Sequence, residues 1–469
     1  MFSFKCLIRL GFPMRAAQTS MRSDTSIKLR VTGILAAVLL LVCATSRAEV
    51  RFVRADGKYL VAPSGKTLLL RGVNLGNWLE PEGYMFLLDH GATSPREIER
   101  LFNELIGPAA SDEFWHEYRR QYITKADIDY IQRAGFNSVR IPLHYKFFVS
   151  GDEGFQLLDR VIAWCRQAGL WVILDLHCAP AGQTGTNIDD SWGYPWLFES
   201  PRDQALTSKI WKRIAMHYRD EPTVLGYDLL NEPIPPFPPL LKYNTALEPL
   251  YRQISTVIRK VDKHHVIILE GAQWANNFAI FGPPFAKNVL YEFHMYKTQT
   301  TQSSIQEYLN FRDRHEVPIW LGESGENTNA WIHDFVQVLE NNEVGWCFWP
   351  YKKMEDHSAV ATFATPIYWS EIVAYGESTG VVGESEKRLP VRPSLEHSRK
   401  SIRDLLEKIR FQNCKMNAEY LSALGLRVPN QQNATAASAG ETRKTVTKPE
   451  ENILAGREHR ANICLGDCR

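Results

Sequence analysis

A regular alternation of short apolar runs with longer helical patterns constrains the fold of this chain more than any other feature. It extends from about residue 50 to residue 411. Such alternation is typical of βα units built around a parallel sheet. Eight strands are predicted, at residues 68–74, 138–142, 171–177, 225–232, 266–271, 289–294, 319–323 and 345–350.

Helical patterns separate most of these strands. Helices are predicted at residues 94–105, 125–134, 154–168, 208–218, 246–261, 304–315, 330–341 and 395–411. The segment after the first strand is long enough for extra helices, whereas the segment after the fifth strand leaves room only for a short one. Eight parallel strands in this order predict the α/β class and a (β/α)₈ TIM barrel, formed by one domain over residues 49–427.

The N-terminal segment has the pattern of an export signal. Basic residues precede an apolar run at 31–43, and small residues follow at Ser46 and Ala48. This pattern predicts a signal peptide over residues 1–48 and an exported protein, because the run is too short for a comfortable membrane span. An uncleaved anchor is the alternative. Translation from Met14 or Met21 would bring the signal closer to the start.

The C-terminal segment and the cysteines give weaker signals. Residues 428–469 are rich in Gln, Asn, Ala, Thr, Lys and Glu without apolar periodicity, which predicts a poorly ordered tail. Cysteine spacing in the mature chain does not resemble a metal site, and it leaves disulfide pairing open. Cys165 and Cys347 stand in apolar surroundings, which favours buried thiols.

The charge balance narrows the choice of partners. Lys and Arg number 54 against 53 Asp and Glu, a formal net charge of +1. Without a basic excess the chain lacks the charge that neutralises a phosphate backbone, so a dedicated nucleic-acid binder is not expected. No pattern indicates several membrane spans or a repeat array. A monomer without a stable membrane partner is predicted.

Polar or titratable side chains mark the predicted ends of six strands. In TIM barrels the chemistry lies at the C-terminal ends of the strands. Packing alone would favour Val, Ile and Leu at these positions. The residues are Arg140, His177, Asn231 with Glu232, His294 with Tyr296, Glu323, and Trp349.

Two of these residues form a candidate pair of reacting carboxyls. Glu232 ends the fourth strand before Pro233, and Glu323 ends the seventh strand. Two carboxyls facing each other across a barrel mouth suit glycoside hydrolysis, in which one protonates the leaving oxygen and the other attacks or activates water. Arg140 would keep one of them charged, while an ionised neighbour raises the pKa of the other.

These residues and their spacing resemble glycoside hydrolase family 5, the cellulase family, over roughly residues 68–349. Residues 225–234 fit the family's signature around the acid/base at every position. The resemblance implies a retaining β-glycoside hydrolase, with Glu232 as general acid/base and Glu323 as nucleophile.

The resemblance also implies roles for the surrounding residues, and it requires neither a metal nor a cofactor. Arg140 and Tyr296 would orient Glu323, and His294 would lie beside Glu232. Asn231 would bind the sugar 2-hydroxyl, His177 would line the −1 subsite, and Trp349 would be the sugar platform. Taken singly, the two histidines fit hydrogen-bonded core residues, and Trp349 fits barrel packing.

The substrate is less sharply indicated. Residues 71–81 and 114–145 resemble the exo-β-1,3-glucanase branch, whereas the loop at 184–200 resembles bacterial members of the family. That loop would either wall one end of the cleft, which favours exo action, or form a rigid rim. Trp274 and Trp369 are possible further subsites.

We therefore expect hydrolysis of β-linked glucans or glucosides, with β-1,3-glucan favoured over β-1,4-glucan. A same-fold hydrolase for mannan, xylan or a glycolipid is the first alternative. A non-catalytic carbohydrate-binding protein is the second, although the presence of both glutamates argues against it.

Overall fold

Eight parallel strands close into a barrel in the computed structural model, which describes residues 52–379 and 391–431. Their order around the barrel is their order along the chain, and the last strand pairs with the first. The strands are β3 (Arg71–Asn74), β4 (Ser138–His144), β5 (Trp171–Cys178), β6 (Val224–Asp228), β7 (Val266–Glu270), β8 (Val289–His294), β9 (Ile319–Glu323) and β10 (Gly345–Phe348). The predicted (β/α)₈ barrel is confirmed.

Two small sheets accompany the barrel. An antiparallel hairpin of β1 (Arg54–Asp56) and β2 (Tyr59–Val61) precedes it. A three-stranded sheet of β11 (Lys352–Met354), β12 (Ala361–Phe363) and β13 (Lys415–Met416) follows it.

Helices connect the strands. They are α1 (Pro95–Ile106), α2 (Pro108–Gln121), α3 (Lys125–Ala134), α4 (Lys146–Val149), α5 (Glu153–Ala168), α6 (Pro201–Tyr218), α7 (Asn244–Arg259), α8 (Ala272–Ala275), α9 (Gln302–His315), α10 (Asn329–Asn341), α11 (Trp369–Thr379), α12 (Leu395–Lys408) and α13 (Ala418–Ala423). The long segment after β3 carries α1 to α3. Only the four-residue α8, in which Gln273 and Trp274 have left-handed rather than helical φ values, and a 3₁₀ turn follow β7. Both predictions about these segments are confirmed.

Local sequence signals explain where the first helices begin and end. Ser94 and Glu97 form a capping box at the start of α1, and Thr124 and Asp127 form one at the start of α3. Each satisfies backbone N–H groups that a helix N-terminus leaves free. Gly135 ends α3 with φ 106°, which a residue with a Cβ adopts at a cost.

The side chains inside the barrel form two layers because alternate residues of a strand face the same side. A lower apolar layer includes Ile173, Ile268 and Leu290, and Val53, just before the hairpin, and Leu60 within it belong to the same cluster. Two residues further along the same strands stand Asp175, Glu270 and Glu292, all fully buried. An upper polar layer therefore lies above an apolar one.

Several predicted boundaries differ from the structure. The fourth barrel strand ends at Asp228 rather than at Glu232. Glu232 and Ile234 have φ values of 43° and 61°, in the left-handed region, so the chain turns there instead of extending. The first strand begins at Arg71. The last ends at Phe348, and the helix predicted to reach residue 411 ends at Lys408.

The predicted signal peptide, Cys464, Cys468 and all but the first residues of the predicted tail lie outside the described residues, so export and the domain limits stay predictions. Within the described part, no helix has the length and apolar character needed to cross a membrane. Cys165, Cys178, Cys347 and Cys414 are free and buried there, which confirms Cys165 and Cys347 as core thiols.

Candidate active site

The barrel brings most of the predicted site residues to one end. Glu323 and His294 are the last residues of β9 and β8, and Arg140 points inward from β4. Asn231 and Glu232 follow β6 in the turn described above. Tyr296 follows β8, His177 lies on β5, and Trp349 follows β10.

The two predicted reacting carboxyls face each other. One carboxylate oxygen of Glu232, one of Glu323 and a ring nitrogen of His294 lie within 4.8 Å of one another. Retaining glycosidases separate their carboxyls by about 5 Å, whereas inverting enzymes leave about 6.5–9.5 Å for a water molecule. The observed spacing fits direct attack by one carboxylate.

Glu323 is held by two donors, one from a residue within β4 and one from a residue that follows β8. Nη1 of Arg140 lies 2.5 Å from Oε1 of Glu323, and the Tyr296 hydroxyl donates to Oε2 at 3.1 Å. The guanidinium also donates to Asn74 and Asn231, so its plane is fixed. A fixed arginine orients a carboxylate more firmly than a flexible lysine does.

Glu232 has different surroundings. Its Oε1 lies 3.0 Å from Nδ1 of His294, and its backbone N–H donates to Oε2 of Glu270 at 2.6 Å. Burial raises the pKa of Glu232 to about 7, although the charge of Arg140 opposes the rise. A carboxyl with such a pKa holds a proton near neutral pH and can donate it.

Four carboxyls that were not predicted from the sequence surround Arg140 inside the barrel. Asp175, Asp228 and Glu270 lie 2.7–3.2 Å from Nη2, and Glu292 lies 3.4 Å from Nε. One guanidinium cannot balance all these charges together with that of Glu323. Burial accordingly raises the pKa of each of the four, that of Asp175 to about 7.

His177 is the centre of a second group. Its Nδ1 lies 2.7 Å from Oδ2 of Asp175, and Nδ2 of Asn231 lies 3.3 Å from its Nε2. Burial lowers the pKa of His177 to about 4, so the ring is neutral near pH 7. It stacks on Trp349 with ring centroids 5.6 Å apart. Trp349 is only 2% exposed, and its role as a sugar platform stays a prediction.

The loop after β3 contains two further carboxyls that were not predicted from the sequence. Glu80 and Glu82 are buried, and both oxygens of Glu80 and Oε1 of Glu82 have no hydrogen-bond partner among the described residues. One oxygen from each lies within 4.8 Å of the other and of a nitrogen of His177. Burial raises the pKa of both; the charge of Glu82 adds to the rise at Glu80, and that of Glu323 adds to the rise at Glu82. The pair can therefore share a proton and bind hydroxyl groups.

Four groups of clustered carboxyl and histidine side chains in the described part have the types of ligand atom that a cation needs. Three of the four groups include a carboxylate already paired with Arg140, and the fourth is Glu80, Glu82 and His177. Carboxyls that share a proton do not need an ion to be stable. The expectation that the site uses neither a metal nor a cofactor stays a prediction.

The loop at 184–200 is fixed to the site through Gln183 and Asp189. Nε2 of Gln183 donates to the carbonyl oxygens of His177 and Asn231, at 2.7 and 2.8 Å. Oδ2 of Asp189 accepts the backbone N–H groups of Gln183 and Thr184. These bonds fit a rigid rim, the second of the two interpretations of this loop.

Aromatic side chains stand along that rim. Trp192 is 74% exposed and Trp196 is 46% exposed. Trp274 donates Nε1–H to the carbonyl of Thr184 and meets the exposed Phe237 edge to face. Trp274 therefore remains a possible subsite.

The prediction that Trp369 is a possible subsite is wrong. It is buried, and its Nε1–H donates to the carbonyl of Phe86 at 2.8 Å. Its ring also packs against Phe86 and Phe102, so it supports the helical layer.

Comparison with known families agrees with this geometry. A family model described as Cellulase (glycosyl hydrolase family 5) matches residues 104–355, more than half of the chain. The chain belongs to glycoside hydrolase family 5. Members of this family are retaining glycoside hydrolases, so the family 5 chain is a glycosidase, as the sequence predicted.

Curated relatives of the family 5 chain have several activities in their names. A beta-xylosidase of Phanerodontia chrysosporium is 26% identical over 351 residues, which cover 64% of this chain and 71% of the relative. Endoglucanase C of Acetivibrio thermocellus is 25% identical over 317 residues, covering 52% and 88%. A glucan 1,3-beta-glucosidase of Lachancea kluyveri is 31% identical over 211 residues, covering 41% and 48%.

Solved structures share the barrel with the family 5 chain. An endogalactoceramidase superposes with a TM-score of 0.50 at 17% identity, covering 64% of this chain and 75% of that one. A rutinosidase from Aspergillus niger gives 0.50 at 18% identity, covering 66% and 92%. At such identities the likeness concerns the fold alone.

Proposed function

We propose that the chain hydrolyses β-linked glucans or glucosides with net retention, with Glu323 as nucleophile and Glu232 as acid/base. The observation that carries the mechanism is the separation of at most 4.8 Å between an oxygen of Glu232 and one of Glu323. The preference for glucans rests on two relatives named as an endoglucanase and a glucan 1,3-beta-glucosidase.

The first step forms a covalent glycosyl-enzyme. An oxygen of Glu323 attacks the anomeric carbon while Glu232 transfers its proton to the leaving oxygen, so the glycosidic bond breaks as the ester bond forms. Arg140 and Tyr296 hold Glu323 during the attack. Asn231, which Arg140 fixes through Oδ1, can donate from Nδ2 to the 2-hydroxyl.

The second step releases the sugar. Glu232, now a carboxylate, takes a proton from water, and the oxygen of that water attacks the anomeric carbon. The ester bond to Glu323 breaks and the sugar leaves with its original anomeric configuration. The raised pKa of Glu232 serves both steps, because the group must give a proton and then accept one.

Product analysis tests this proposal. The full chain is incubated with laminarin, mixed-linkage glucan, cellulose oligomers, mannan and xylan, with Glu323→Gln as the inactive control. We expect glucose or short gluco-oligosaccharides, released first as the β anomer and absent with Glu323→Gln. An initial α anomer would contradict retention. Sugar binding without any product would favour a binding protein.

A second candidate follows from the relative named as a beta-xylosidase, which aligns over 351 residues. If it is right, aryl β-xylosides are cleaved faster than aryl β-glucosides, and the reaction is equally sensitive to Glu323→Gln. The two aryl substrates compared at one pH decide between the sugars without changing the mechanism.

A further inference from the structure

Glu292 occupies a place inside the barrel that the neighbouring strand leaves open for it. Its Oε1 lies 3.2 Å from Nε2 of His294, and its Oε2 has no hydrogen-bond partner among the described residues. A Cβ at Gly322 on β9 would lie 1.4 Å from Oε1 of Glu292. The glycine therefore provides the space in which this carboxyl meets His294.

The N–H groups of Arg140 are committed to other acceptors. Nε and Nη2 both donate to Oδ2 of Asp228, at 3.0 and 2.7 Å. Nη2 also donates to Glu270, and Nη1 donates to Glu323. Glu292 lies near the guanidinium but is not among its hydrogen-bond acceptors in the described structure.

Glu270, unlike Glu292, accepts a hydrogen bond from Arg140. Its Oε1 accepts from Arg140 at 2.9 Å, and its Oε2 accepts the backbone N–H of Glu232 at 2.6 Å. Donors to both oxygens favour the ionised form of Glu270, and their lack disfavours a buried anion at Glu292. Of these two carboxyls, Glu292 is the one suited to hold a proton.

His294 requires a proton donor from one of the two carboxyls that lie within hydrogen-bond distance of its ring nitrogens. Burial lowers its pKa to about 3, so the ring is neutral and has one N–H and one lone pair. Nδ1 lies 3.0 Å from Oε1 of Glu232, and Nε2 lies 3.2 Å from Oε1 of Glu292. One N–H cannot serve both contacts, so one of the two carboxyls must donate.

We propose that Glu292 carries a proton and donates it to Nε2 of His294, which holds the ring in the Nδ1–H tautomer that donates to Oε1 of Glu232. This inference rests on the proposed role of Glu232 as acid/base. Glu292 is then a positioning residue, because it acts on Glu232 through His294.

The tautomer decides which oxygen of Glu232 carries the proton that is delivered. With Nδ1–H directed at Oε1, the acid proton is carried by Oε2 and is not bound to the ring. When this proton passes to the leaving oxygen, the Oε2–H bond breaks and Glu232 becomes a carboxylate. Nδ1–H still donates to it, so the same tautomer serves both steps. In the opposite tautomer Glu232 would donate its proton to Nδ1 of His294.

The charges around this group agree with a neutral Glu292. Burial and the charge of Asp228 raise its pKa well above the ordinary value of a glutamate, although Arg140 opposes the rise. The titratable and charged groups that face His294 from the packed strands and turns are Arg140, His177, Asp228, Glu232, Glu270, Glu292 and Glu323.

Nitrogen NMR of the wild-type full chain with ¹⁵N-labelled histidine tests the tautomer directly. The signals of His294 are assigned by their loss in His294→Gln. We expect a protonated Nδ1 and an unprotonated Nε2 near neutral pH. A protonated Nε2 would overturn the inference. Because this measurement needs no substrate, it stays decisive even if the chain hydrolyses none of the tested glycosides.

The pH profile of Glu292→Gln gives a second test. Glutamine is neutral and can donate to Nε2, so the basic limb of kcat/KM is expected to stay where it is in the wild type. If Glu292 were ionised, loss of its charge would lower the pKa of Glu232. The basic limb would then move down by about one pH unit, and that shift would refute the proposal.

Glu292→Leu removes the donor altogether. We expect kcat to fall about tenfold, the scale of one lost buried hydrogen bond, with little change in KM. An unchanged kcat would count against the inference. Asp262→Asn is the matched control, since Asp262 also bonds a buried histidine, with its Oδ2 2.5 Å from Nδ1 of His265. Asp262 and His265 precede β7, at the end of the barrel opposite to the candidate active site. Loss of their hydrogen bond should therefore leave the pH profile of kcat/KM unchanged.

Discussion

Arg140 donates from Nη1 to Oε1 of Glu323 across 2.5 Å, and the two residues stand 183 positions apart in the chain. Only β3 and β10 lie between their strands around the barrel. Glu232 instead meets His294, whose ring is neutral. This difference in partners holds Glu323 in position for attack and leaves Glu232 able to carry a proton.

Replacing the nucleophile should abolish turnover while keeping the fold. An amide cannot attack the anomeric carbon, so we expect Glu323→Gln to lower kcat by at least about a thousandfold. Initial rates on an aryl β-glucoside give the loss, and circular dichroism checks the fold. A folded variant with more than about a tenth of wild-type activity would assign the nucleophile to another residue.

Activity should decline above neutral pH because Glu232 must be protonated to act as an acid. Its pKa is about 7, so kcat/KM should fall about tenfold for each pH unit well above that value. In Glu232→Gln this limb should vanish, with a loss of about 10²–10⁴-fold for substrates that have poor leaving groups. Dinitrophenyl glycosides need no protonation and should lose far less. Equal losses for both substrate classes would refute the assignment.

The buried pair in the loop after β3 should bind sugar hydroxyls. Glu80 and Glu82 lie beside His177, and both oxygens of Glu80 and Oε1 of Glu82 lack a hydrogen-bond partner among the described residues. Loss of a hydrogen bond to a charged group costs about 1.5–3 kcal/mol, so Glu80→Gln should lower kcat/KM about tenfold to a hundredfold. Glu104→Gln, which removes a carboxylate paired with Arg100 on an exposed helix face, is the control. If the two variants behave alike, Glu80 is not part of the binding site.

Stability should depend strongly on one buried ion pair outside the cleft. Nζ of Lys352 lies 2.9 Å from Oδ1 of Asp127 and donates to the carbonyls of Tyr122 and Ile409. Lys352→Met leaves the carboxylate buried without its cation, which costs about 3–5 kcal/mol of unfolding free energy. The double variant with Asp127→Asn should lose less than the sum of the single variants. Urea denaturation measures the unfolding free energy of the single and double variants. If the loss in the double variant equals the sum of the two single losses, Lys352 and Asp127 are not coupled.

The sequence predicted the barrel and the two facing carboxyls because both depend on local patterns. Strands and helices follow hydrophobic period, and a polar residue at a strand end is visible in the sequence. The end of β6 was misplaced because the left-handed φ of Glu232 turns the chain before Pro233. Such a turn is set by tertiary contacts, including the bond from the Glu232 amide to Glu270.

The carboxyls around Arg140 were missed for a different reason. Barrel strands are buried on both faces, so their sequences do not show which alternate residues point inward. Asp175 stands between two leucines, and Glu292 stands between Tyr291 and Phe293. A single acid within an apolar run was the available signal, since a buried charge needs a partner. The partner itself becomes visible only when the strands are arranged around the barrel.

The two layers inside the barrel set different limits for engineering. The lower layer, with Ile173, Ile268 and Leu290, is apolar and tolerates volume-conserving exchanges. In the upper layer, an apolar replacement of Glu292, which accepts no hydrogen bond from Arg140 in the described structure, would relieve unfavourable desolvation and raise the melting temperature, but it would also remove the contact with His294. A search for heat-resistant variants guided by thermal stability alone would thus select less active proteins from the upper layer. Libraries confined to the lower layer and the outer helices would avoid this outcome.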